Sequence, residues 1–97
     1  MRNSLMDTQE NNRRRFARLK LTENTFAVDE TGYQLGRVSQ ASGGGMQVDA
    51  ASPEALSHMR FGTRMSVTVV EPTTSTTNTF DVEVRYITGS SVGMQFL

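Results

Sequence analysis

Phe80-Asp81-Val82-Glu83-Val84-Arg85-Tyr86 sets the frame for the whole chain. Apolar side chains stand at 80, 82, 84 and 86, and charged ones at 81, 83 and 85. A period of two places the first set on one face of a β-strand and the second on the opposite, wet face. The same alternation recurs on both sides. Val92, Met94 and Phe96 close the chain, and Met65, Val67 and Val69 form the strand before. Met46 and Val48 make a shorter piece. Further back, Tyr33 and Leu35 alternate and Val38 falls out of phase, which places a bulge near Gly36. Phe26 and Val28 alternate again, as do Leu19 and Leu21 around Lys20.

The punctuation fits antiparallel pairing. Asp29 to Gly32 is a turn cluster, and residues 72–79, PTTSTTNT, read as a polar loop between two strands. One helix is expected, Ser52 to Arg60: Ser52 can cap it, Pro53 suits its first position, and Gly62 can end it. It spans about two turns and reads as a connector. Several short strands in so short a chain predict an all-β small barrel or sandwich, and a barrel removes exposed edges. Residues 1–12, MRNSLMDTQENN, lack periodicity and read as a mobile tail or a short helix.

The chain has 97 residues, 36% of them hydrophobic, enough for one modest core. It contains no cysteine and one histidine, which excludes disulfides, thiolate zinc sites and multi-histidine metal sites. There is no run of about 18 apolar residues for a membrane span. No signal-peptide pattern is present, so a soluble cytoplasmic domain is expected. The formal net charge of zero hides a dipole. Residues 1–20 carry six basic and two acidic side chains, and residues 21–97 carry four basic and eight acidic ones. Nine of the ten cations are arginine, whose planar fork suits phosphates and guanine edges.

The pairings that catalysis needs are missing. A Ser-His-acid arrangement would have to use His58, which sits on the short connector helix and, beside Met59 and Phe61, reads as a half-buried packing residue. Asp81 and Glu83 lie on a wet strand face. Gly43-Gly44-Gly45 lacks the following Gly-Lys-Ser/Thr of a phosphate loop and any helix behind it. The chain is read as a binding module, not an enzyme.

Two local patterns point to a ligand. Arg13-Arg14-Arg15-Phe16-Ala17-Arg18-Leu19 joins the tail to the first strand, and Gln40-Ala41-Ser42-Gly43-Gly44-Gly45 forms a turn. Glycines in such a turn are expected to supply positive φ and to admit a ligand close to the backbone. Together these patterns resemble the PilZ domain family, bacterial receptor modules for cyclic di-GMP. The family signature is Arg-Arg-x-x-x-Arg followed by Asp/Asn-x-Ser-x-x-Gly. The first part fits at Arg13, Arg14 and Arg18. In the second, Ser42 and Gly45 match, while Gln40 stands where Asp or Asn is usual. Val92-Gly93-Met94-Gln95-Phe96 is similar to the family's last strand, and the likeness covers residues 12–97.

The resemblance implies a six-stranded antiparallel β-barrel over residues 13–97, with a flexible N-terminal arm and one short connector helix. It implies cyclic di-GMP as ligand and no cofactor. Arg13, Arg14 and Arg18 would wrap the ligand; Gln40, Ser42 and Gly45 would form the barrel-side wall. It further implies that binding is passed on, through a change in the arm, to a downstream protein that the sequence does not identify. The alternative is a protein-interaction module of the same fold that binds no nucleotide. A nucleic-acid-binding barrel is disfavoured because the acidic body offers no basic track.

Overall fold

The alternating segments pair as their periodicity demands. The computed structural model describes residues 21–97. Its strands are β1 (Phe26–Asp29), β2 (Gln34–Ala41), β3 (Gly45–Ala50), β4 (Arg64–Glu71), β5 (Thr76–Thr88) and β6 (Ser91–Phe96). All neighbours are antiparallel, and they close as a barrel in the order β1-β2-β3-β6-β5-β4. The choice between sandwich and barrel is thereby resolved as a barrel. The one helix, α1 (Pro53–Ser57), lies between β3 and β4 and packs against β2 and β3. The expected tail 1–12 and the arginines of the arm lie outside the described residues.

The core is filled from every strand. Ala27, Leu35, Val38, Met46, Val48, Val67, Val69, Val82, Val84, Val92 and Met94 are buried, and α1 and its C-terminal flank add Ala55 and Met59. At roughly 25 cal/mol per Å² of apolar surface removed from water, each such side chain contributes on the order of 1–3 kcal/mol before the entropy of ordering is subtracted. Ser52 caps the helix as expected, its Oγ accepting from Ala55 N at 3.0 Å.

Several boundaries differ from the sequence reading. In β1 the inward residue is Ala27, while Phe26 and Val28 are half-buried. The reason is register: Ala27 lies opposite Val69, so its parity follows the apolar face of β4. Residues 21–25 are not a strand. Thr25 N donates to Thr22 O at 3.1 Å, closing a turn around Glu23 and Asn24. The helix ends at Ser57 rather than Arg60, and the 72–79 loop shrinks to a turn at 72–75. From Thr76 onward the β-branched threonines join β5, and Thr68 and Thr79 share a cross-strand hydrogen bond at 2.8 Å.

The expected bulge is present beside Gly36. Ala27 pairs with Gly36 and Val28 with Gln34, leaving Leu35 as the extra residue. Two further irregularities interrupt the pairing. Val38 pairs with Val48 and Gln40 with Gln47, leaving out Ser39. Val84 pairs with Met94 and Tyr86 with Gly93, leaving out Arg85.

Segment 22–25 is fastened to the barrel by a buried carboxylate. Glu71 is only 1% exposed and Thr25 fully buried. The Thr22 hydroxyl donates to Glu71 Oε2, Thr25 Oγ1 donates to the same oxygen at 3.3 Å, and Thr74 N donates to Oε1 at 3.1 Å. The Thr22 hydroxyl, opposed by burial and aided by Thr74 and Thr73, holds this carboxyl below its ordinary range. Val38 N donates to Thr25 O at 2.9 Å. Thr25 therefore continues the contact of β1 with β2 by one residue, and the turn at 22–25 is held at Glu71.

Candidate functional site

The two bulges at Ser39 and Arg85 change which side chains face outward. On β2 the extra residue places Gln40 opposite Gln47 of β3. Gln47 in turn lies opposite Gly93 of β6, and Gly93 opposite Tyr86 of β5. A row of four residues thus crosses four strands on the outer surface, with a glycine in its third place. Above it opens a cavity of about 430 Å³, whose walls include Gln40, Ser42, Gly45, Arg85, Tyr86 and Gln95.

The glycine makes room. A Cβ on Gly93 would stand 2.1 Å from Tyr86 Cε2, so the tyrosine ring occupies the space a side chain would fill. From there Tyr86 Oη donates to Gln47 Oε1 at 3.3 Å, and Gln47 Nε2 donates to Ser91 Oγ at 3.4 Å. Ser91 Oγ completes the chain by donating to Asp49 Oδ1 at 3.2 Å. Arg85 Nη1 donates to Gln95 Oε1, joining β5 to β6 at the cavity rim.

The turn between β2 and β3 forms the other wall. Ser42 N donates to Gly45 O at 2.9 Å, and Phe96 N donates to Gly44 O at 2.9 Å. None of Gly43, Gly44 and Gly45 adopts the positive φ expected of them; in the described residues it falls at Gly32, Gly36, Gly62, Gly89 and Ser75. Gly45 is required for a different reason. A Cβ there would lie 2.2 Å from the Met94 carbonyl oxygen, so the approach of β3 to β6 leaves no space for one. Gly43 and Gly44 have nothing within 4 Å of a built Cβ and keep the turn open.

Gln40, Ser42 and Gly45 line one cavity. Arg13, Arg14 and Arg18 lie outside the described residues. Sequence reasoning missed Gln47, Arg85, Tyr86 and Gln95. Alternation had assigned Tyr86 to the core, and the bulge turns it out, 49% exposed. The signal that could have revealed it is Gly93, a glycine between Ser91 and Gln95 on the polar face of an alternating strand.

A second polar cluster lies at the β1–β2 turn. The rings of Tyr33 and His58 stack with centroids 4.0 Å apart, and His58 Nδ1 stands 3.3 Å from Asp29 Oδ2. His58 packs by stacking rather than by burial, its side chain 36% exposed. Burial pushes the Asp29 carboxyl up, but donors from Thr31, Tyr33 and His58 outweigh it and lower its pKa to about 2. Thr31 N, Thr31 Oγ1 and Tyr33 N all donate to Asp29 Oδ1, at 2.9, 2.6 and 2.9 Å, so this carboxylate organises the turn. Among the described residues no group of three His, Cys, Asp or Glu side chains is placed to hold a metal ion.

Residues 12–97 match the family described as PilZ domain. The chain belongs to the PilZ domain family. The match covers both halves of the arginine and serine-glycine signature and the whole barrel. PilZ domains are cyclic di-GMP-binding modules rather than enzymes, and the cavity beside the Ser42–Gly45 turn lies on the second half of that signature. No curated protein sequence and no solved structure shows a significant match to the chain. Among the described residues no helix of this PilZ domain is long and apolar enough to cross a membrane.

Proposed function

We propose that this PilZ domain is a receptor for cyclic di-GMP, held between Arg13, Arg14 and Arg18 on one side and Gln40, Ser42 and Gly45 on the other. The observation that carries the reading is the cavity itself. It opens at the signature turn, and its volume suits a ligand of nucleotide size. Its rim offers amides, a hydroxyl and a guanidinium, a donor-rich set matched to phosphates and to guanine O6 and N7. The route of the chain bears on the reading as well. Thr25 lies against Val38, two residues from Gln40, and seven residue steps back from Thr25 is Arg18. Because residues 22–25 fold into a turn, the reach available is that of the four residues from Thr22 back to Arg18, about 13 Å when extended.

Arginine can pair with phosphate, fork onto a guanine edge and stack on its face. A dianion therefore neutralises the arginine run and bridges it to the barrel wall. Closure of residues 13–18 over the ligand changes the surface at this end of the barrel, and a partner protein reads that surface. The setting is the bacterial cytoplasm, where the dinucleotide is a second messenger.

Titration with cyclic di-GMP, with GTP and a short single-stranded oligonucleotide in parallel, tests this. Micromolar or tighter binding of cyclic di-GMP, with GTP and oligonucleotide far weaker, is the expected result. Absence of heat and of any chemical-shift change at millimolar cyclic di-GMP overturns it in favour of a nucleotide-independent interaction module.

A further inference from the structure

Arg85 is the only charged residue among the described residues lining the cavity. It is the extra residue of the β5 bulge, so its position is set by a local departure from strand pairing. Its hydrogen-bond partner is neutral: Nη1 donates to the amide oxygen of Gln95. Among the described residues no carboxylate lies within ion-pair distance of it. The acid nearest in register, Glu83 opposite Gln95, is engaged by Arg64 at 3.0 Å.

A neutral acceptor fixes the plane of a guanidinium and leaves its charge uncompensated. Among the described residues one of its five N–H donors is used, and the others remain for a ligand. A carboxylate in place of Gln95 would fix the same plane but cancel the charge. The arrangement is therefore that of an anion receptor, and the arginine fork matches the paired oxygens of a phosphodiester. We infer that Arg85, positioned by Gln95, binds a phosphodiester group of the ligand from the barrel wall. This rests on the cyclic di-GMP reading above and adds a residue that lies in neither half of the signature.

The test is calorimetry of the full chain with cyclic di-GMP. Arg85→Ala raises Kd about tenfold or more, as expected for a charge-assisted contact. Arg85→Lys keeps the charge and loses only the fork, so its rise in Kd is smaller. Gln95→Glu also raises Kd, because the new carboxylate neutralises Arg85, while the melting temperature does not fall. The Arg85→Ala defect narrows as salt increases from about 50 to 500 mM, since the lost contact is ionic. If Arg85→Ala and Gln95→Glu bind as tightly as the parent, the assignment is overturned and the receptor reading stands. If Lys is as poor as Ala and the defect is indifferent to salt, Arg85 reads a base edge and the phosphate assignment fails. If the parent chain does not bind at all, both fall.

Discussion

The ring of Tyr86 covers Gly93 so closely that a methyl group at 93 would stand 2.1 Å from Tyr86 Cε2. The two residues are direct neighbours across β5 and β6, and the tyrosine continues to Gln47 on the next strand. Gly93→Ala must therefore displace the ring and break that contact. We expect a loss of roughly 1 kcal/mol in urea unfolding, most of it absent when Tyr86 is already alanine. Equal costs in the two backgrounds would show that the ring is not what Gly93 accommodates.

Gly45→Ala has no such escape. Its built Cβ meets a backbone oxygen, Met94 O at 2.2 Å, which cannot rotate away. The penalty should exceed that of Gly93→Ala, at about 2–3 kcal/mol, with β3 and β6 losing amide protection together. A smaller penalty than Gly93→Ala would contradict the packing described.

Within the arm, Arg14→Ala and Arg18→Ala should each weaken cyclic di-GMP binding by at least about 1.5 kcal/mol, because a charge-assisted contact is lost from a partly desolvated site. Hydrogen exchange at residues 13–18 should slow in the saturated complex. Unchanged affinity or unchanged exchange argues against the clamp.

For Gln40 the expected direction is a gain. Asn and Asp are shorter by one methylene and one rotor, so Gln40→Asn should tighten binding by on the order of 1 kcal/mol without altering the fold. Weaker binding by both Asn and Asp variants would identify Gln40 as the better-fitted residue.

Asp29 predicts an acid dependence. Its folded pKa is depressed to about 2, below the ordinary value near 4. Its contribution is therefore complete above about pH 4 and is lost as pH falls through about 2. Melting temperature measured from pH 6 to pH 2 should fall more steeply in the parent than in Asp29→Asn. Parallel curves would mean that the carboxylate charge adds nothing to the turn.

The strands were legible because each carries its own period. Phe80, Val82 and Val84 face the core as their alternation requires, and Ser52-Pro53 starts the helix where its chemistry says. The site was legible only where it is local. Gln40, Ser42 and Gly45 fall within six consecutive positions, whereas Arg85, Tyr86 and Gln95 join them through strand pairing. That pairing depends on one-residue insertions at 39 and 85, and period-two reading runs straight across both. The start of β1 failed for a related reason: Ala27 takes its facing from β4, and Phe26 and Val28, though more hydrophobic, do not decide it.

The bulge at Arg85 also separates two kinds of freedom in the sequence. From Phe80 to Val84, every second position of β5 is committed to the interior, and a polar replacement there is ruinous. Past the bulge the commitment lapses, and residues at the cavity can diversify without disturbing the hydrophobic lattice. Recognition can thus drift toward new ligands while the scaffold keeps its shape. Conversely, deleting residue 85 would remove the bulge and its arginine while leaving Tyr86 opposite Gly93 on the outer face. A single lost codon would then take from the cavity wall its one charge among the described residues, while leaving six strands that still look, on paper, like the same protein.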